Sequence, residues 1–269
     1  MKKIGLIAGS GQFPLIFSKA AVKQGFAVYV AAHLKETDPT IEQEATVVEW
    51  VHLGQLKRLI RFFKNHQISE AVMLGAIKKT RMFKDFRPDA KALTLLAGMR
   101  HTHDDSILRT FAAALEKEGI VIKPSTILLP DILAQPGCWT RRKPSASEME
   151  DATHGWRLVR EIGKLDIGQC IVVGGGSVLA VEAIDGTDAT IERGGRLGQG
   201  KAVVVKICKP DQDIRFDVPA IGAKTIETMH QAGAKLLVVE AGRAVVFDRE
   251  EMIGLADRHG ISIISVEQL

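Results

Sequence analysis

Ile4-Gly-Leu-Ile-Ala-Gly-Ser-Gly11-Gln-Phe-Pro14 is an apolar run, a glycine-rich turn and the start of an amphipathic stretch that continues to Gln24. The order strand, turn, helix opens a nucleotide-binding βαβ unit. Such a turn can bring backbone N–H groups to a phosphate at a helix N-terminus; the plainer alternative is an ordinary βα connection. Pro14 stands where the dinucleotide fingerprint has its third glycine, which weakens an NAD reading, although proline near a helix start is comfortable. Gly9, Ser10 and Gly11 are therefore candidate ligand contacts.

Working outward, Phe26–Ala32 is a second strand ending at His33, and Val47–Val51 a third. Leu53–His66 is a helix with Leu53, Leu56, Leu59, Ile60 and Phe63 on one side. Ala71–Leu74 is a buried strand that ends at Gly75 before the basic turn Lys78-Lys-Thr-Arg81. Ligands gather at the carboxyl ends of parallel strands, so Gly9, His33 and Gly75, with Lys78 beyond them, form one expected rim. A helix over Leu93–Met99 leads to His101-Thr-His-Asp-Asp105. That spacing matches no zinc motif, and Asp104-Asp105 suits the acidic start of a helix Ser106–Lys117. A short strand, Ile120–Ile122, follows Gly119.

The 269 residues suit two medium domains better than one, and 46% hydrophobic content is enough for full cores. A net charge of +4 with 5% aromatics suits anionic ligands but gives no nucleic-acid stripe. Three cysteines, Cys138, Cys170 and Cys208, have no metal spacing and read as reduced and packed. No apolar run approaches the ~20 residues of a membrane span, and no cleavable leader is recognisable, so a cytoplasmic protein is expected. Pro124, Pro130, Pro136 and Pro144 mark a break. It predicts a first domain over 1–130, a linker over 131–147 and a second domain over 148–269.

In the second domain Ser145-Ala-Ser-Glu148 is a capping box for a helix to Leu165, with Met149, Ala152, Trp156, Val159 and Ile162 on its core face. Strands Cys170–Val173 and Ser177–Ile184, joined by Gly174-Gly-Gly176, predict an antiparallel hairpin. Glu182 and Asp185 then precede a helix with Thr187 as N-cap and Asp188 in its first turn, running through Arg193 and stopped by Gly194-Gly195. These acids are either a capping set or a place for a metal or a sugar. Strand Ala202–Lys206 delivers Lys206-Ile-Cys-Lys-Pro-Asp-Gln-Asp-Ile-Arg-Phe-Asp-Val-Pro-Ala-Ile-Gly222. If this stretch is extended, Asp211, Asp213, Arg215 and Asp217 share one face and Ile214, Phe216 and Val218 the other. Clustered carboxylates would hold Mg²⁺ and the arginine phosphate oxygens, unless the stretch is a solvated edge strand. Phe216 at the sixth position from Asp211 excludes an EF-hand. The helices Lys224–Gln231 and Arg249–His259 and the strands Leu236–Val239, Ala244–Phe247 and Ile261–Val266 complete an α/β domain.

Taken together, Gly5-Leu-Ile-Ala-Gly-Ser-Gly11, His103-Asp-Asp-Ser-Ile-Leu-Arg109, Leu165-Asp-Ile-Gly-Gln169, Ala180-Val-Glu-Ala-Ile-Asp-Gly-Thr-Asp188 and the Lys209–Gly222 stretch resemble one family. It is the LpxI-type UDP-2,3-diacylglucosamine pyrophosphohydrolases of lipid A synthesis. The resemblance implies an N-terminal Rossmann-like parallel sheet and a C-terminal mixed α/β catalytic domain, with the active site between them. It implies Mg²⁺ dependence, with Mn²⁺ as the alternative, and hydrolysis of UDP-2,3-diacylglucosamine to lipid X and UMP by water attacking the α-phosphorus. It also implies a cytoplasmic enzyme peripheral to the inner membrane; a homo-oligomer is left open. The family's essential aspartate matches Asp217. Asp213 and Arg215 fall beside it as catalytic candidates, Asp213 and Asp217 as metal ligands. Gln212, Lys206, Glu182, Thr187, Asp188, Arg193, Gly75, Lys78 and Asp105 are substrate-binding candidates. An NAD-dependent oxidoreductase and a non-catalytic nucleotide-sugar sensor are the rival classes.

Overall fold

Lys2–Ala8 forms β1, exposed over its first two residues and buried over the next five. A strand covered on both faces reads as a continuous apolar run because it lies mid-sheet. The computed structural model, which describes residues 2–77, 86–97, 104–210, 212–216 and 218–269 without the side chains of 104–106, places β1 centrally. Around it lie β2 (Phe26–His33), β3 (Val47–Val51), β4 (Glu70–Leu74) and β5 (Val121–Ile122), all parallel in the order β3-β2-β1-β4-β5. The helices α1 (Phe13–Lys23), α2 (Leu56–Asn65), α3 (Ala90–Ala97) and α4 (Asp104–Glu116) belong to the same unit. Phe17 and Ala21 of α1 fill one core beneath β1 and β2. Leu59, Ile60 and Phe63 of α2 fill another with Leu115 of α4.

The chain divides into two compact units, Met1–Leu129 with Asp213–Asp217, and Pro130–Gln212 with Val218–Leu269. The expected linker is thus part of the second unit. Its β6 (Gly137–Cys138) pairs antiparallel with β13 (Ser262–Val266), and Leu133 bridges Val245. Prolines that interrupt periodicity here mark an edge strand and its turns. The second exception is the excursion at 213, which leaves the second unit and belongs to the first.

The second unit is built on a mixed sheet in the order β6-β13-β11-β9-β7-β8, from β7 (Cys170–Gly174), β8 (Ser177–Val181), β9 (Val203–Lys206) and β11 (Leu236–Glu240). β7 and β8 form the expected antiparallel hairpin, while β9, β11 and β13 run parallel. A separate parallel pair joins β10 (Ala220–Ile221) to β12 (Val245–Val246). The helix α5 (Ala146–Lys164) starts with both capping-box bonds in place, Ser145 Oγ accepting from Glu148 N and Glu148 Oε2 from Ser145 N. Trp156 of α5 is buried among Val159, Ile171 and Val205. The remaining helices are α6 (Gly186–Gly198), α7 (Ala223–Ala232) and α8 (Arg249–His259).

The expected stop at Gly194-Gly195 does not occur, since α6 continues to Gly198. A Cβ on Gly194 would lie 2.5 Å from Val172 Cβ, and one on Gly195 2.5 Å from Ala232 Cβ. The two glycines let α6 press against the sheet on one side and α7 on the other.

Candidate functional site

At the carboxyl end of β1 in the first unit, Gly9 N donates to Leu74 O at 2.8 Å and Ser10 N to Ala76 O at 2.8 Å. Ala76 N returns to Ser10 O at 3.1 Å, and Ser10 Oγ also donates to Ala76 O. A Cβ on Gly9 would stand 2.7 Å from Ala76 O, and one on Gly75 2.5 Å from Ser10 O, with φ at Gly75 of +88°. Gly9 and Gly75 therefore serve a backbone-to-backbone seam. The N–H groups of Gly9 and Ser10 are spent within it, leaving Gly11, at φ +93° and exposed, as the open corner of the turn. His33 ends β2 on the same rim, its Nδ1 buried and without a hydrogen-bond partner among the described residues.

In the second unit the acids after β8 form a closed network. Glu182 is buried; its Oε2 accepts from Gln169 N at 3.0 Å and its Oε1 from Thr187 Oγ1 at 2.7 Å. Asp185, not Thr187, is the residue before α6, and Arg193 Nη1 donates to its Oδ2 at 2.5 Å. Hydrogen bonding from Arg193 holds the Asp185 carboxyl below its usual range. Asp188 pairs with Lys224 at 2.7 Å, joining the first turns of α6 and α7. The sequence-predicted group Glu182, Thr187, Asp188 and Arg193 is brought together, and its members bond to their own neighbourhood. Lys206 ends β9 almost wholly buried, its Nζ donating to Ala220 O at 2.8 Å. An ammonium has three donors, so among the described residues this one keeps capacity for an oxygen-rich ligand.

The described residues after Lys206 bond as turns, in place of the extended alternation. Gln212 Oε1 accepts from Lys209 N at 2.9 Å, closing the first. In the second, Arg215 N donates to Asp213 Oδ1 at 3.1 Å and Phe216 N to Asp213 O at 3.0 Å. A short aspartate bonding the backbone two residues on favours such a turn over a strand. Arg215 grips the Asp213 carboxylate through Nε at 3.0 Å and Nη2 at 2.8 Å, and its Nη1 reaches Glu116 Oε1 at 2.9 Å. Arg109 Nη1 lies 3.8 Å from Asp213 Oδ2. Hydrogen bonds from Arg215 keep the Asp213 carboxyl below its usual range, outweighing the opposing effect of burial. Among the described residues two cations and two carboxylates meet here, and Arg215 is engaged with carboxylates on two sides.

Asp217, Asp211, Lys78 and the side chain of Asp105 lie outside the described residues. Glu116 and Arg109 are the members of the cluster that the sequence reading left out of its site. Their spacing of two helical turns on α4 was the available signal. Among the described residues no group of three His, Cys, Asp or Glu side chains could hold a metal ion. Asp213, the described carboxylate expected to bind Mg²⁺, has both oxygens turned to a guanidinium. The described residues alone do not fit a metal centre.

Among known proteins, the family model described as the LpxI N-terminal domain matches residues 3–132, and that of the LpxI C-terminal domain residues 135–264. A protein of Caulobacter vibrioides named UDP-2,3-diacylglucosamine pyrophosphatase LpxI is 32% identical over 278 residues, covering 99% of this chain and 98% of its own. The biotin carboxylase domain of Hydrogenobacter thermophilus 2-oxoglutarate carboxylase is 14% identical at a TM-score of 0.28, over 65% of this chain and 35% of that one. The phosphoribosylglycinamide synthetase of Anaerococcus prevotii is 10% identical at 0.29, over 68% and 39%. The chain spans less than half the length of these solved structures, and likenesses so loose say nothing about its chemistry. The two family matches together span nearly the whole sequence in order: the chain belongs to the LpxI family.

Proposed function

We propose that this chain hydrolyses the pyrophosphate bond of UDP-2,3-diacylglucosamine, releasing UMP and lipid X (2,3-diacylglucosamine 1-phosphate). The observation that carries the reading is the 32% identity, over 99% of the chain, to a protein named as that pyrophosphatase. Water attacks the α-phosphorus, a new P–O bond forms on the UMP side, and the bond to the bridging oxygen breaks. The leaving group is a phosphate, so its departure needs no general acid.

Asp217 is the carboxylate we assign to the reacting centre. A divalent cation, Mg²⁺ or Mn²⁺, would neutralise the anionic oxygens that repel a nucleophile; Asp217, which matches the family's essential aspartate, is the residue we assign to hold it, since Asp213 is bonded to Arg215. Lys206, buried and with donors to spare, suits a phosphate oxygen. Among the described residues no helix is long and apolar enough to cross a membrane; the lipid substrate implies contact with a membrane surface, which we place on the cytoplasmic face.

The test is UMP release by purified protein in ¹⁸O-water, with Mg²⁺, Mn²⁺ or EDTA. Metal-dependent UMP carrying the label is the expected result. Label in lipid X would move the attack to the other phosphorus, and turnover in EDTA would remove the metal. Tight binding without turnover would make the protein a sensor.

A further inference from the structure

We propose that Glu116 and Arg109 of α4 are positioning residues that act through Arg215 and Asp213 to hold the turn 213–216, the described segment that precedes Asp217 in the chain. The proposal rests on the hydrolase reading above for the role of Asp217. Arg109 and Glu116 lie two turns apart on one helix and so share a face. They meet the excursion in complementary order, Arg109 beside Asp213 at 3.8 Å and Glu116 beside Arg215 at 2.9 Å. Reversing either charge would set like against like. Between them Arg215 forms a two-pronged bond to Asp213, and its guanidinium carbon stacks 4.8 Å from the centre of the Phe216 ring.

The ring of Phe216 packs against the core that α2 and α4 share, and Ser125 Oγ donates to Ile214 O at 3.3 Å. Every described residue from 213 to 216 is thus held by the first unit or by its own turn. Asp217 follows Phe216 directly in the chain. Ion pairs as exposed as Glu116–Arg215 add little stability. What a forked guanidinium adds is direction, and here it sets the geometry of the turn 213–216.

The experiment compares wild type, E116Q, E116D and R109K for kcat and KM of UMP release, and for hydrogen–deuterium exchange of a peptide spanning residues 209–219. E116Q should lower kcat by about tenfold to a hundredfold, the cost of a displaced catalytic group, with KM little changed. E116D should recover part of the loss. Exchange in the 209–219 peptide should rise in E116Q while peptides from β1 and β2 stay at wild-type rates. Wild-type kcat in E116Q, or unchanged exchange, overturns the proposal. If wild type itself shows no turnover, the hydrolase reading fails and exchange alone decides the clasp. Should E116Q not fold, R109K and E116D carry the same comparison.

Discussion

His33 closes β2 with a buried Nδ1 that has no partner among the described residues. Burial lowers its pKa from 6.5 to about 4, against a smaller opposing effect of the Val51 backbone. The unfolded chain therefore takes up a proton below pH 6.5 that the folded chain refuses until about pH 4. Stability from this ring is complete above the first value and drains away as pH falls to the second, by on the order of 3 kcal/mol. Urea unfolding at pH 7 and pH 4.5 should show that slope in wild type and a flatter one in H33Q. Equal slopes would mean that other groups set the pH response. At Asp217 the expectation is chemical: D217A should keep the wild-type circular dichroism and melting temperature but lose about a hundredfold or more in UMP release. Near-normal turnover would remove Asp217 from the mechanism.

At the scale of elements, glycines separate what the sequence made legible from what it hid. Period and apolar runs placed β3 and α8 at their observed bounds, because such signals are local. Gly194-Gly195 was misread because a glycine pair looks the same whether it ends a helix or lets one pack closely. Only the neighbours decide, and Val172 and Ala232 are remote in sequence. Gly168 follows the same logic, since a Cβ there would meet Glu182 O at 2.2 Å, which gives the Leu165–Gln169 motif a packing reason. The turn at 213 was missed for a related reason: alternating charge and apolarity imitates a strand, while Asp213 bonding to Arg215 N is a choice that periodicity does not record. G195A should therefore destabilise the protein by about 1–3 kcal/mol through overpacking. G254A on α8, where the nearest atom to a new Cβ is 3.7 Å away, should be neutral or stabilise by about 0.5–1 kcal/mol through helix propensity. Urea midpoints of the two variants test both, and equal midpoints would contradict the packing account.

For the whole molecule, the sequence showed two α/β units and a break near residue 130, but not that residues 213–217 belong with the first unit. Contiguous composition cannot reveal an excursion of a few residues, since its evidence is the packing of Phe216 into a core made of α2 and α4. A chain ending at Leu129 lacks this aromatic and the partner of Glu116. Half-burying a phenylalanine contributes about 1–2 kcal/mol, equivalent to about 4–8 °C in a unit of this size. The first unit expressed as residues 1–129 should thus melt several degrees below the same unit in the full chain. Its melting temperature should rise on adding a synthetic peptide spanning residues 210–219, and a peptide with F216A should have no such effect. Equal melting with and without the native peptide would mean that the first unit is complete without the excursion, and that the excursion depends on the unit but not the reverse.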